Sequence, residues 1–241
     1  MNWKKKLATY ASLTVLATFI IHIINKLIYF MSTIDNLLGR KEGLYYEWRF
    51  GKIFYTKEGT GKPILLIHDL SACSSEYEWN RIVSDLSKKN TVYTLDLLGC
   101  GKSDKPNFTY TNFLYVQLVT DFINNVIGEK ADVIVTGNSC SFVLMACHNN
   151  DEIIDRILLI NPPSISSISK VPTKRTKMLK FIINIPFIGT LLFNLLHSKD
   201  SIEQTFMTEY FYNPQFVDDE IVKTYCESAQ ISKTQSKYLF A

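Results

Sequence analysis

The residues best suited to chemistry cluster at Gly137-Asn138-Ser139-Cys140-Ser141, between a β-branched run and an apolar stretch. Val133, Ile134 and Val135 have the composition of a buried strand, and 141–147 carries mostly apolar residues without Gly or Pro, the composition of a helix. A strand, a sharp turn and a helix in that order lift one side chain to the apex of a strained bend. A hydroxyl there is exposed, and the backbone N–H that follows it points at the same region of space. Ser139 is therefore a candidate nucleophile for acyl transfer, and Cys140 is a weaker one because such a bend projects its central residue. The same five residues are also compatible with a serine-bearing turn in any α/β protein.

An alcohol attacks near neutral pH only when a base takes its proton, so Ser139 needs an imidazole within hydrogen-bond reach and a carboxylate to orient it. The chain has four histidines, His22, His68, His148 and His197. His148 lies nine residues along the helix from Ser139, which at a rise of ~1.5 Å per residue places it more than ~12 Å away. His197 follows an apolar segment far downstream, and its approach would be a coincidence of folding.

The elements that must position these residues alternate in type. Residues 45–50 and 52–57 read as two strands of a hairpin around Gly51, and Ile64-Leu65-Leu66-Ile67 is an unbroken aliphatic run of the kind that forms a central strand covered on both faces. The stretch 76–88 has Trp79, Ile82, Val83 and Leu86 at helical spacing, and 91–95 is a further strand running into Asp96. Helix, strand, helix and strand follow at 113–127, 133–136, 142–148 and 157–160. This order specifies an α/β fold with a mostly parallel sheet wound by helices on both faces. Ligands of such sheets bind beyond the carboxyl ends of the strands. His68-Asp69-Leu70, the 96–103 loop and the turn at Ser139 all fall there.

Taken together, these peptides resemble the α/β-hydrolase family, in its lipase, esterase and epoxide-hydrolase branch. Gly137 to Ser141 is similar to the G-x-S-x-G nucleophile elbow with Ser141 at the second glycine. His68-Asp69 stands where many members carry His-Gly, and Asp96-Leu97-Leu98-Gly99-Cys100-Gly101-Lys102-Ser103 matches the D-x-x-G-x-G-x-S loop. The resemblance covers roughly 45–164. It implies Ser139 as catalytic residue, an oxyanion hole from the backbone N–H groups of Cys140 and Leu70, and a site shaped by His68, Asp69, Gly137 and Asn138. An Asp69 carboxylate would repel the developing negative oxygen, which bears on the second donor. The resemblance also implies a helical cap in the insertion after Asn161-Pro162-Pro163-Ser164. In the family, the acid and the histidine follow later strands. Neither is found in this chain, so a C-terminally incomplete sheet with its last strands missing is expected.

Two other readings of the 96–103 loop fail on residue identity. The first glycine of a phosphate-binding P-loop would have to be residue 96, which is aspartate, and Asp104 occupies the third glycine of a dinucleotide fingerprint. No cofactor is expected. At 241 residues, 46% hydrophobic and with a formal net charge of +3, the chain has the composition of one globular domain and lacks the aromatic-interleaved basic stripe of a nucleic-acid partner. Cys73, Cys100, Cys140, Cys147 and Cys226 form no C-x-x-C pair, which argues against a zinc site and a disulfide framework.

Lys4, Lys5 and Lys6 precede an apolar run long enough to span a bilayer, and no small-residue cleavage site follows it. The expected organisation is a single-pass membrane anchor at 1–31 with its amino terminus cytoplasmic, a connector at 32–44, a hydrolase-like core at 45–168 and a helical cap at 169–241. Lys26, Arg40 and Lys41 on the other flank, and the five cysteines, weigh against that orientation. In the cap, 181–196 is apolar and broken by Pro186 and Gly189, and reads as a lid or interfacial helix that would wall in an acyl or other hydrophobic substrate. Two functions remain in view: a membrane-anchored serine hydrolase cleaving an ester or related acyl substrate, and a catalytically inactive binding or scaffold module on the same fold.

Overall fold

In the computed structural model, which describes residues 3–164, 174–232 and 236–240, the aliphatic run at 64–67 lies at the heart of the sheet as β3 (Lys62–Ile67). The other strands are β1 (Leu44–Trp48), β2 (Gly51–Glu58), β4 (Asn90–Leu95), β5 (Ala131–Thr136) and β6 (Ile154–Ile160), in the spatial order β1-β2-β4-β3-β5-β6. The β1–β2 and β2–β4 pairs are antiparallel, and β4–β3, β3–β5 and β5–β6 are parallel. This is the expected α/β architecture, with the hairpin at its leading edge.

Side-chain alternation along the strands divides the core into two layers. Leu65, Ile67, Tyr93, Leu95, Val133 and Val135 face helices α3 (Asn112–Phe122) and α4 (Ser139–Asn149), which contribute Tyr115, Phe122, Phe142 and Ala146. On the other face, Ile64, Leu66 and Val92 bury Trp79 and Val83. The stretch 76–88 supplies those two side chains on one face as its spacing implies, but not as one helix. It forms a 3₁₀ turn at Glu76–Trp79 and a short helix α2 (Val83–Leu86). The cause is tertiary: Asp96 Oδ1 accepts the Glu76 amide at 2.6 Å, and Glu78 turns back to Thr136 and to the Asp69 amide. These bonds override local helical preference.

The 96–103 loop is tied together by its own polar side chains. Asp96 Oδ2 accepts the Lys102 amide at 2.7 Å, and the Ser103 hydroxyl donates to the Asp96 carbonyl at 2.6 Å while accepting the Phe54 amide at 2.8 Å.

After β6 come α5 (Lys174–Asn184), α6 (Ile188–Leu196), α7 (Lys199–Thr205), α8 (Asp219–Gln230) and the short α9 (Lys237–Phe240). The expected boundary between core and cap at 168/169 lies outside the described residues. Ile202, Phe206, Val222 and Cys226 pack on Cys73 and Tyr77, and Phe193 and Ala229 pack on Ala72. The helices are thus seated on the loop that leaves β3. The apolar 181–196 stretch is two helices and not one, because Pro186 ends the first and Phe187 takes a left-handed φ of +62°; the pair is bent by 113°.

The amino-terminal helix α1 (Trp3–Thr33) has no buried residue and is long and apolar enough to cross a membrane. It runs two residues beyond the expected end of the anchor. The connector is fixed to the fold, for Glu227 accepts the Leu37 amide at 2.7 Å and the Lys102 ammonium donates to the carbonyls of Leu38 and Lys41 at 2.9 Å.

Candidate functional site

A cavity of about 740 Å³ lies beyond the carboxyl ends of β3, β5 and β6, with Asp69, Gly137 and Asn161 at its floor and His197, Phe206 and Tyr210 among its walls. The position is the one that the strand order implies. The backbone of the turn differs from expectation in one decisive respect. The left-handed residue is Gly137, with φ +55°, and Asn138 is already helical at φ −64°, ψ −24°. Glycine takes a left-handed conformation without steric cost, whereas any other residue at this bend is strained. The apex therefore sits two residues earlier than the serine.

Ser139 is the first residue of α4 and is fully buried. Its hydroxyl donates to the His68 carbonyl at 2.7 Å, which ties the β5 turn to the β3 loop. This corrects the expectation of an exposed hydroxyl at the apex. The expected oxyanion donor Cys140 is also displaced, because its amide donates to the Gly137 carbonyl at 3.2 Å and closes the first helical turn. Leu70 is half-buried and packs against the core, lining a smaller cavity together with Asp69 and Asn138.

The amide that follows the apex belongs to Asn138, and it donates to Asp69 Oδ1 at 2.6 Å. A Cβ built on Gly137 would overlap that same carboxylate. Asp69 thus fills the space that a side chain at the apex would need and takes the first amide beyond it. An oxyanion forming at that amide would meet a carboxylate oxygen there.

His68 and Asp69 are hydrogen-bonded within the loop that follows β3. The Leu97 amide donates to His68 Nε2 at 3.0 Å, so the proton is on Nδ1, which donates to the Asp69 carbonyl at 2.7 Å. Burial pulls this imidazole down to about 4, and with both nitrogens engaged it is a neutral strut and not a base.

Glu78 and Tyr210 join the site without a signal in the sequence, and His197 joins it from a distant segment. Glu78 lies in the cavity wall, accepting the Thr136 hydroxyl on Oε1 and the Asp69 amide on Oε2 at 3.2 Å. Burial pushes its carboxyl up to about 7, with the Thr136 and Asp69 hydrogen bonds opposing the shift. His197 lies at the end of α6 and reaches the cavity alongside Asp69 and Asn138, contrary to the expectation that it is remote. Its Nδ1 is 3.0 Å from the Phe193 carbonyl, its ring stacks on Phe193, and burial lowers its pKa. Tyr210 lines both cavities. By contrast, His148 is exposed in the last turn of α4, as its distance along the helix requires. Among the described residues, no cluster of His, Cys, Asp and Glu has the geometry of a metal site, and no cysteine is in a disulfide.

The profile of the alpha/beta hydrolase family matches residues 64–237, well over half of the chain. The chain belongs to the alpha/beta hydrolase family. Among curated relatives of this α/β-hydrolase, 2-hydroxy-6-oxo-6-(2'-aminophenyl)hexa-2,4-dienoic acid hydrolase of Metapseudomonas resinovorans is 34% identical over 86 residues, covering 35% of this chain and 29% of that protein. The soluble epoxide hydrolase of Corynebacterium sp. (strain C12) is 25% identical over 110 residues, covering 46% and 38% respectively. These matches span about three to four tenths of the length of either relative. Among solved structures, a meta-cleavage product hydrolase from Pseudomonas fluorescens IP01 superposes with a TM-score of 0.64 at 19% identity, covering 82% of this chain and 67% of that one. At that identity the likeness establishes the fold.

Proposed function

We propose that this α/β-hydrolase is a membrane-tethered binding module whose elbow does not carry out acyl transfer. The observation that carries the reading is the Asp69 carboxylate held by the Asn138 amide beside a glycine apex. There is no side chain at the apex to attack, and the site of a developing oxyanion already holds negative charge. The cavity beside it, walled by Phe206, Tyr210 and Tyr225, is suited to a hydrophobic small molecule. The helices α6–α8 and the turn at Phe206 act as its lid.

α1 is the tether, a single span whose amino terminus stays cytoplasmic behind Lys4, Lys5 and Lys6. The chain is expected to stay with the membrane pellet after alkaline carbonate extraction; release into the supernatant would contradict the tether.

Ester cleavage through Ser139 is the competing reading, and the hydrolase names of the relatives favour it. It requires the hydroxyl to leave the His68 carbonyl and reach the cavity. Turnover of a short aryl ester separates the two readings. Wild type and Ser139→Ala are expected to match the uncatalysed background, whereas turnover abolished by Ser139→Ala would establish the hydrolase.

A further inference from the structure

A second cavity, of about 990 Å³, opens far from the elbow, between the later part of α1, the α5–α6 bend and Lys237. Its apolar wall includes Ile23, Leu27, Phe30 and Phe187. Two ammonium groups, Lys26 and Lys237, line it, and its described lining residues include no Asp or Glu. Lys26 is exposed. Lys237 is partly buried and donates to the Thr190 hydroxyl at 3.0 Å, and desolvation lowers its pKa.

The cavity is built into the fold. Asn25 donates to the Phe187 carbonyl at 3.0 Å and accepts from the Asn194 amide at 3.0 Å, while His22 meets the Phe187 ring edge-on at 5.6 Å. These contacts set the depth of the bend. It lies against residues 22–30 of α1, so residues 7–21, the stretch before it, project free of the globular part as exposed apolar surface. At ~1.5 Å per residue that projection is about 22 Å long, comparable to much of a hydrocarbon core. Phe181, Phe187 and Ile188 are exposed on the α5–α6 pair. Lys174 and Lys177 are exposed on α5, which with α6 carries no acidic residue.

We propose that this cavity holds one anionic phospholipid drawn from the bilayer, its phosphate between Lys26 and Lys237 and an acyl chain along Leu27, Phe30 and Phe187. Charge complementarity selects the headgroup, because two cations with no Asp or Glu among the described lining residues favour a net negative lipid over a zwitterionic one. The apolar wall and its continuity with the projecting end of α1 select a membrane amphiphile over a soluble anion. The inference rests on α1 being embedded in a bilayer, and the test separates the two.

Full-length protein is reconstituted into nanodiscs of equal parts phosphatidylglycerol and phosphatidylcholine, stripped with mild detergent, and weighed by native mass spectrometry. One retained phosphatidylglycerol per chain is expected. Lys26→Met and Lys237→Met keep the aliphatic bulk, and each is expected to lower the preference for phosphatidylglycerol about fivefold, with Lys88→Met as an unaffected control. Circular dichroism melting shows that the variants are folded. Incorporation of the wild type into phosphatidylcholine-only discs reads α1 independently of the cavity: failure there overturns the tether and this inference with it. Incorporation together with equal retention of the two lipids, unchanged preference in both variants, or displacement of the lipid by millimolar inorganic phosphate overturns the lipid site alone.

Discussion

A methyl group at position 137 would enter space that the Asp69 carboxylate already occupies, on a backbone held at φ +55°. Gly137→Ala is therefore expected to cost about 2 kcal/mol or more. Asp69→Gly in the same chain removes the overlap but not the backbone strain, so in urea melts the double variant should be more stable than the sum of the single changes. Additivity would contradict the packing described. Ser139→Ala removes one buried hydrogen bond to the His68 carbonyl and is expected to cost about 1 kcal/mol. Glu78 has a folded-state pKa raised to about 7, above the value of an unfolded carboxyl. Its favourable contribution is complete below the unfolded pKa and is lost as pH rises through about 7. The stability of wild type relative to Glu78→Gln should consequently fall between about pH 4.5 and 7 and then level off; a difference independent of pH would show that Glu78 is not buried in this way. At this scale the sequence is partly legible. His68 and Asp69 lie at the carboxyl end of β3, where the aliphatic run at 64–67 places them. The serine misleads because G-x-S-x-G is matched by residue type, whereas the bend is decided by which residue tolerates a left-handed backbone, and that residue is Gly137.

Elements are more legible than their joints. The aliphatic run of β3, the hairpin and the β5–α4 unit follow from periodicity and length. The 76–88 stretch does not, because bonds from Asp96, Thr136 and the Asp69 amide fix its first turn, and those partners are remote in sequence. The docking of α6 on α1 is equally invisible to local pattern, since Asn25 reads as an interruption of an apolar run and proves to be the hydrogen-bonding anchor of the α5–α6 bend. Asn25→Leu leaves the buried Asn194 amide without that partner and is expected to cost about 1–3 kcal/mol. Hydrogen exchange should quicken across α6 and leave β3 and β5 unchanged. Equal protection of α6 in the variant would show that the α1–α6 contact is dispensable.

At the scale of the molecule, the helices after β6 join the two cavities. α6 ends at His197, which lines the elbow cavity, and begins beside Phe187 and Thr190, which line the cavity against α1. One helix nine residues long therefore connects the cavity against α1 to the elbow cavity. Membership of the α/β-hydrolase family accounts for the wound sheet and for the place of the elbow cavity. It does not supply a nucleophile at the bend, which here is a glycine facing a carboxylate. The measurement that tests this most directly is intact-mass analysis of the full chain, wild type and Ser139→Ala, after exposure to an activated fluorophosphonate. No adduct is expected on either protein. A single adduct on the wild type that is missing from Ser139→Ala would contradict that expectation.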